Sequence, residues 1–483
     1  MSQSSHIAVI GAGPAGLTAA YQLSKAGAHV DVFEASPHLG GMSRSLSLWD
    51  QKVDLGPHRF FSNDPRVNGL WLEVVGKNYS MVSRLTRIFY QDRFFLYPLS
   101  PVNALLNLGP REALHCLGSY VAQRFRSSDK RDDFESWVTQ RFGRRLFEVF
   151  FKSYSEKLWG IPCSELDSDF AAQRIKKLSL FEAVKDAFVK DRGKHKSLVD
   201  LFAYPHGGTG SVYEKMAEEV IARGGKVHLE TPVERVLTEG SKVIGVELKE
   251  GSRRDFDFVV STMPLTHLVA KLADTPAAIL EAARKLKFRH LTLVYLLVEG
   301  TDLFKDNWLY VHSPEYVTGR ITNFRNWVPN LYGTSKNSIL CLEYWSNDND
   351  PLWREPDETL ITRGKHELSK TKLIGSAAIL KGHVVKVPRC YPVYEKGYKE
   401  NLKPVTEHLR RFSGLLPIGR YGSFKYNNQD HSILMGMLAA ENILEDRRHD
   451  LWSINSDNEY QESAIITENG LERVLSHPSA SFT

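Results

Sequence analysis

Four cysteines in 483 residues, Cys116, Cys163, Cys341 and Cys390, stand far apart and form no CxxC pair. That scarcity excludes a cysteine-based zinc centre and a disulfide framework, and the expected state is free thiols in a reducing, cytoplasmic compartment. No leader pattern is read at the start, and no apolar run approaches the roughly 20 residues that cross a bilayer, so no membrane span is expected. Metal-ligand spacing is missing as well: His366-Glu367 lacks the second histidine of a zincin motif, and no metal is expected. Nor is there a repeat of fixed period. Charge of neither sign dominates; 62 Lys+Arg against 57 Asp+Glu leave +5, too little to argue for nucleic acid. What remains, 42% hydrophobic and 25% charged residues, is that of a soluble globular protein, and the length calls for two or three domains.

The chain is organised around its beginning. His6 to Ile10 reads as a strand, Gly11-Ala12-Gly13-Pro14-Ala15-Gly16 as a glycine turn, and Leu17 to Lys25 as a helix stopped by Gly27. A second strand, Val30 to Phe33, ends in Glu34. In that context the glycines have separate uses. Gly11 allows the tight turn, Gly13 lets backbone approach a pyrophosphate, and Gly16 lets helix and strand pack closely. The helix N-terminus offers N–H groups to phosphate. Glu34 accepts from an unphosphorylated ribose, as in FAD or NAD. Gly40-Gly41 and Arg44 follow, a second close backbone approach with a cation for phosphate or a flavin carbonyl. An acid followed at this distance by two glycines and a base indicates FAD. His58, in Val53 to Phe61, is either a structural hydrogen-bonder or a flavin contact.

From about 100 to 190 the pattern is helical. Leu114, Leu117, Val121 and Phe125 share one face, while Phe134, Trp137, Val138, Phe142, Leu146, Phe150 and Phe151 form a second stripe. Most of these aromatics are expected in the core rather than around a ligand. Lys190 to Lys196 is either a solvated connection or a flap over an anionic substrate. The α/β pattern resumes at Tyr204 to Gly210, with a helix over Val212 to Arg223 and strands near Val227, from Val233, Val243 and Phe256. From 286 to 400 strands follow without alternating helices, which predicts an antiparallel sheet. Gly419 to Ile443 reads as turn, ligand contacts and helix. The predicted fold is α/β. A discontinuous Rossmann-like FAD domain takes 1–98, 203–265 and 405–450; a helical substrate-covering domain takes 99–202, an antiparallel sheet domain 266–404, and a peripheral tail 451–483.

Several segments together carry a family resemblance. They are Gly11 to Gly16, Gly56-Pro57-His58, Tyr154-Ser155-Glu156-Lys157-Leu158-Trp159-Gly160, Ala172-Gln173-Arg174-Ile175, Tyr204 to Gly210, Trp308-Leu309-Tyr310, Gly319-Arg320, Tyr391-Pro392, Gly419 to Ser423 and Tyr426 to Ser432. Over roughly 6 to 445 the chain resembles the UDP-galactopyranose mutases, nearer the longer eukaryotic type. It lacks the second histidine of the bacterial type, where Phe61 or Asn63 stands, its stretch after Tyr426 is two residues shorter than in the eukaryotic type, and its loop from Lys176 to Lys196 matches neither type. Those differences bear on which sugar is used.

The resemblance implies an FAD enzyme that is active in its reduced form and draws on an external reductant such as NAD(P)H, although no nicotinamide motif is found. Its expected partner is a nucleotide sugar of the UDP-galactose class, in cell-wall or glycan synthesis. Arg174 and Arg320 match the diphosphate-gripping arginines and His58 the histidine beside the flavin. Tyr154, Trp159, Trp308, Tyr310, Tyr391, Tyr426 and Asn428 match substrate contacts. Pro14, Ala15, Val233, Gly419, Arg420, Gln429 and Ser432 join Gly11, Gly13, Gly16, Glu34, Gly40, Gly41 and Arg44 around FAD. The implied reaction converts a UDP-hexopyranose to its furanose through a flavin N5–sugar adduct, with no net redox change. Two other readings stay open. One is a true oxidoreductase of the amine oxidase, protoporphyrinogen oxidase and desaturase group; the other is a flavin-binding scaffold without chemistry. Whether the chain is a monomer or a homo-oligomer is also open.

Overall fold

A computed structural model describes residues 5–97, 99, 101–125, 132–168, 201–445, 447–454, 464–467 and 470–473. The chain divides into two compact units. One comprises Met1–Ser83, Leu201–Leu286 and Glu400–Thr483, the other Arg84–Asp200 and Lys287–Lys399.

The first unit is built on a five-stranded sheet in the order Leu415–Pro417, Phe258–Ser261, His6–Ile10, His29–Phe33, Lys226–His228. Every pairing in it is parallel. Ile7 to Ile10 are all buried, as expected of a strand covered on both faces. The first helix, Pro14–Lys25, begins three residues before the expected Leu17 because Pro14 sits at the first helical position behind Gly13 as N-cap. It shares one core with the helices Gly210–Ala222 and Gln429–Leu444, in which Leu17, Tyr213, Met216, Ile433 and Ala440 are buried. The strand expected from Phe256 begins at Phe258, and a separate short strand precedes it. Arg253–Asp255 joins an antiparallel sheet with Val233–Glu239 and Lys242–Leu248, and Phe258–Ser261 joins the parallel one. Asp257 makes the break: its N–H donates to His6 O (2.9 Å), and its carboxylate accepts from the His6 N–H (2.9 Å).

The second unit contains a seven-stranded sheet in the order Ile379–Pro392, Phe288–Glu299, Asn337–Ser346, Arg320–Asn323, Trp308–Val311, Thr86–Tyr90, Arg93–Leu96. All neighbours are antiparallel except Trp308–Val311 with Thr86–Tyr90. Leu360 and Leu368, on the helix Asp357–Lys370, join the core with Val294, Leu296 and Leu342 of the sheet. The helical part runs through Pro101–Leu108, Pro110–Arg124, Phe134–Phe142, Arg144–Phe147, a wide turn at Glu148–Lys152, and Ser153–Trp159. Phe134, Val138, Phe142, Leu146 and Phe150 are core, as expected. Phe125 is not: it is 87% exposed. The helix that ends beside it turns its polar side inward, where Glu112 pairs with Arg145 and the Ser119 hydroxyl accepts from the Arg145 N–H (3.0 Å).

Candidate functional site

Within the first unit the glycine turn is built to approach a ligand. Gly11 takes φ 98°, and a Cβ there would lie 2.0 Å from Thr262 Oγ1. A Cβ on Gly16 would lie 2.0 Å from Gly11 O, which is the close helix–strand packing the position was expected to serve. The second glycine pair folds onto the first: the Gly40 N–H donates to Ala12 O (2.8 Å), and a Cβ on Gly41 would come 3.1 Å from Gly13 Cα. Pro14, Ala15 and Gly16 form the first turn of a helix whose N-cap, Gly13, supplies no side-chain acceptor. The free N–H groups of that turn suit phosphate. Glu34 accepts from Ala12 N–H (2.8 Å) with one oxygen and from Ser36 N–H (2.9 Å) with the other, and each oxygen keeps a lone pair for a ribose hydroxyl.

The C-terminal segment meets the same turn. Gly419 has φ 79°, and a Cβ on it would lie 3.1 Å from Ala15 Cβ. Arg420 donates from Nε (2.8 Å) and Nη2 (2.6 Å) to Asn427 O, and its guanidinium lies 5.2 Å from the Tyr426 ring centroid. Asn428 caps the helix Gln429–Leu444 in a capping box with His431, and Ser432 is in its first turn. Val233 is buried where its strand starts, two residues after Thr231, whose N–H donates to Glu34 O (2.8 Å). Arg44 is half-buried beside Gly41, towards whose carbonyl its N–H points (3.4 Å).

His58 is held by its backbone and its ring. Nε2 lies 3.1 Å from Leu55 O, and His58 O accepts from the Thr209 hydroxyl (2.8 Å). Behind it is Asp54, fully buried, whose carboxylate accepts from Ser45 (2.6 Å), Tyr204 (2.6 Å) and Thr209 N–H (3.2 Å). Burial pushes the Asp54 carboxyl up to about 6 despite those three donors. Gln429 accepts from Tyr213 (2.7 Å) and donates to Arg59 O (3.3 Å), tying the C-terminal helix to the same loop.

The second unit gathers a cation among aromatics. Tyr310, Arg320 and Glu343 sit opposite one another on three adjacent strands. The Arg320 side chain is only 14% exposed and donates from Nη2 to Glu343 (2.8 Å), while its buried Nε–H finds no acceptor among the described residues. Burial works against its charge, yet Glu343, with Tyr391, Tyr154 and Tyr310 around it, holds Arg320 protonated well beyond the usual arginine range. Burial raises the Glu343 carboxyl, and Arg320 offsets this only in part. Tyr154 meets Tyr310 edge-on (5.4 Å), stacks on His312 (4.7 Å) and meets Trp345 edge-on (5.8 Å). Complete burial, with Lys157 nearby, lowers His312 to about 3, so it is neutral. Lys157 donates to Val311 O (3.1 Å) and Ser313 O (2.7 Å) and is lowered by burial to about 8.

Of the expected residues, the structure thus groups Tyr154, Tyr310, Arg320 and Tyr391. Trp159 stacks on Tyr394 (6.2 Å), and Trp308 packs on Trp327 (5.9 Å). Arg174 and the loop 176–196 lie outside the described residues. Sequence reasoning missed Asp54, Glu343, Trp345 and His312. For Glu343 a signal existed: one acid inside the apolar run Ile339 to Trp345 requires a buried cation.

With the geometry established, the comparisons give the class. The model of the flavin containing amine oxidoreductases matches residues 14–379, and the chain belongs to that family. FAD is therefore the supported cofactor, and the glycine cradle, Glu34 and Arg44 fit it.

Particular relatives divide. The 4,4'-diapophytoene desaturase (4,4'-diapolycopene-forming) of Methylomonas sp is 23% identical, over 68% of this chain and 66% of its own. A Klebsiella pneumoniae protein named "Probable UDP-galactopyranose mutase" is 28% identical over 33% of this chain and 42% of its own length. The chain thus spans about two thirds or less of these curated relatives. Among solved structures, a reduced UDP-galactopyranose mutase superposes with TM-score 0.83 at 22% identity, covering 94% of this chain and 98% of that one. A putative protoporphyrinogen oxidase from Exiguobacterium sp. 255-15 follows with TM-score 0.72 at 17% identity, covering 92% and 99%. These likenesses establish the shared fold.

Proposed function

We propose that this family member is a mutase that interconverts UDP-galactopyranose, or a closely related UDP-hexopyranose, with its furanose form without net redox change. The observation that carries the reading is Arg320: a buried, permanently charged guanidinium with an N–H to spare, ringed by Tyr154, Tyr310 and Tyr391. An apolar channel for a hydrocarbon substrate has no use for such a group, whereas a diphosphate does. When bound, reduced FAD would supply the nucleophile for the anomeric carbon, held by the N–H groups behind Gly13, by Gly41, Arg44 and Glu34.

The chain's own residues then have plain tasks. Arg320 binds the diphosphate and retains UDP after it leaves the sugar. The tyrosine hydroxyls donate to phosphate or sugar oxygens, and Glu343 fixes the direction of the guanidinium. Neutral His312 is no general acid at physiological pH; it supports the Tyr154 ring. Arg174 is the second guanidinium this reading needs.

The test is to incubate dithionite-reduced protein with UDP-galactose and look for UDP-galactofuranose; equal turnover by fully oxidised protein would sink the reading. A second reading, an oxidoreductase on an apolar substrate, is favoured by the desaturase among the relatives. Oxygen uptake on amines or porphyrinogens, or double-bond formation in a carotenoid, with no furanose product, would establish it instead.

A further inference from the structure

The helix Pro110–Arg124 sets its larger apolar side chains outward. Its inward side holds Glu112, paired with Arg145, and Ser119, bonded to the Arg145 N–H, with Cys116 the one buried apolar side chain. Its outward side carries Leu114 (68% exposed), Leu117, Val121 (53%) and, one residue on, Phe125. Spacings of three, four and four residues put these in one stripe. Leu106 on the preceding helix, Pro101–Leu108, is 76% exposed. Exposed leucines occur singly on most proteins, but a continuous exposed apolar stripe marks a surface that meets something.

The charges choose the partner. Arg111, His115 and Arg124 are exposed on this helix, and its single acid, Glu112, is taken by Arg145. A second copy of the chain would set this helix against itself, cation against cation, with no unpaired acid on the helix to meet either. A face about 22 Å long and 10 Å wide also falls well short of the roughly 800 Å² per partner of a stable dimer. Among the described residues no helix is long and apolar enough to cross a membrane. We infer that the outward face of Pro110–Arg124 docks this protein on an anionic lipid surface, Leu114, Val121 and Phe125 entering the headgroup boundary while Arg111 and Arg124 meet lipid phosphates. The inference is independent of the mutase reading.

Co-sedimentation of the full chain tests it, with vesicles of phosphatidylcholine alone or mixed with phosphatidylglycerol. Binding to the mixed vesicles that falls as salt is raised is expected. The double variant Leu114→Gln/Phe125→Gln should weaken binding at least about tenfold, and Arg111→Gln/Arg124→Gln roughly fivefold per arginine. Far-UV circular dichroism and the melting temperature check that both variants fold; the arginine pair keeps the test open if the apolar pair does not. Three results would overturn the inference: no binding to anionic vesicles, binding indifferent to both double variants, or equal binding to phosphatidylcholine alone. A concentration-dependent dimer abolished by Leu114→Gln/Phe125→Gln would assign the face to a second copy instead.

Discussion

Arg320 and Glu343 are a buried pair in which each partner limits what the other can do. The carboxylate keeps the guanidinium charged and aimed, but it also presents a negative charge to any diphosphate that approaches. Glu343→Gln should therefore tighten UDP binding roughly tenfold by removing that repulsion, read by titration of the flavin or tryptophan signal. Arg320→Ala should weaken UDP binding by roughly 10- to 100-fold, the loss of a charged hydrogen-bonding partner, and abolish turnover while FAD is retained. Because Arg320→Ala leaves a buried charge unpaired, it also endangers the fold. The double variant Arg320→Ala/Glu343→Gln separates the two effects. If it folds and binds UDP as tightly as Glu343→Gln alone does, Arg320 is no diphosphate ligand.

Asp54 makes a second residue-level case, and its sign is fixed by burial. Its carboxyl titrates near 6 in the fold against an ordinary value near 3.8. The protonated form is thus favoured by folding, so this stability is complete below about pH 4 and is lost as pH rises through about 6. The size is on the order of 3 kcal/mol at neutral pH. Denaturant melts between about pH 4 and pH 7 should show the decline, and Asp54→Asn should flatten it. A parent protein as stable at pH 7 as at pH 4, with the variant indistinguishable from it, would refute the assignment.

At the scale of elements, the short helix Ser153–Trp159 presents Tyr154, Lys157 and Trp159 from one turn and a half, and its far end is fastened by a buried arginine. Arg289 donates to Leu158 O (3.0 Å) and Lys157 O (3.0 Å), two carbonyls a helix end leaves without partners, and meets Asp350 at 3.4 Å. Burial lowers its guanidinium to about 10, with Asp350 opposing. Gly160 makes the clamp fit: it closes the helix in the left-handed conformation, φ 65°, and a Cβ there would lie 2.1 Å from Arg289 Nη1. Gly160→Ala is expected to cost about 2–3 kcal/mol through backbone strain and displacement of the clamp, seen as a lower melting temperature together with weaker UDP binding. An unchanged melting temperature would show the clamp to be slack.

Elements also show what was legible in the sequence and what was not. The glycine turn, its helix and the parallel strands could be read because Gly11, Gly13, Gly16 and the buried run Ile7 to Ile10 each answer one local requirement. The hairpin Thr86–Tyr90 with Arg93–Leu96 was overlooked because its turn residues, Gln91 and Asp92, take φ of 49° and 57° without a glycine to announce it. Periodicity sets Leu114, Leu117, Val121 and Phe125 on one face but does not report which way that face points. The direction is set by Arg145, 33 residues after Glu112, and no local pattern contains that contact. In the same way Arg320 and the tyrosines were found one by one, yet Glu343 became visible only when strand register set it opposite Arg320.

On the scale of the whole molecule, the first unit is one core assembled from three distant segments, so its cofactor cradle depends on the far end of the chain. The helix Gln429–Leu444 reaches the cradle helix Pro14–Lys25 through Gly436, where a Cβ would lie 2.5 Å from Ala15 O, 2.8 Å from Thr18 Cβ and 3.0 Å from Ala19 N. Two of those three atoms are backbone, which cannot turn aside as a side chain can. Any larger residue must push the two helices apart, and with them the Ala15–Gly419 approach that closes the glycine turn from the other side. Gly436→Val should therefore act far from its own position in sequence: the purified variant should carry less FAD per chain, read from the ratio of flavin to protein absorbance. Its melting temperature should recover in part when FAD is added in excess, since a ligand that binds only the folded form stabilises it by mass action. Ala19→Gly on the opposing helix, which opens space without touching the turn, is the control for packing alone. Full flavin content in Gly436→Val would mean that the cradle tolerates the separation, and that the N-terminal fingerprint holds FAD without help from the last helix.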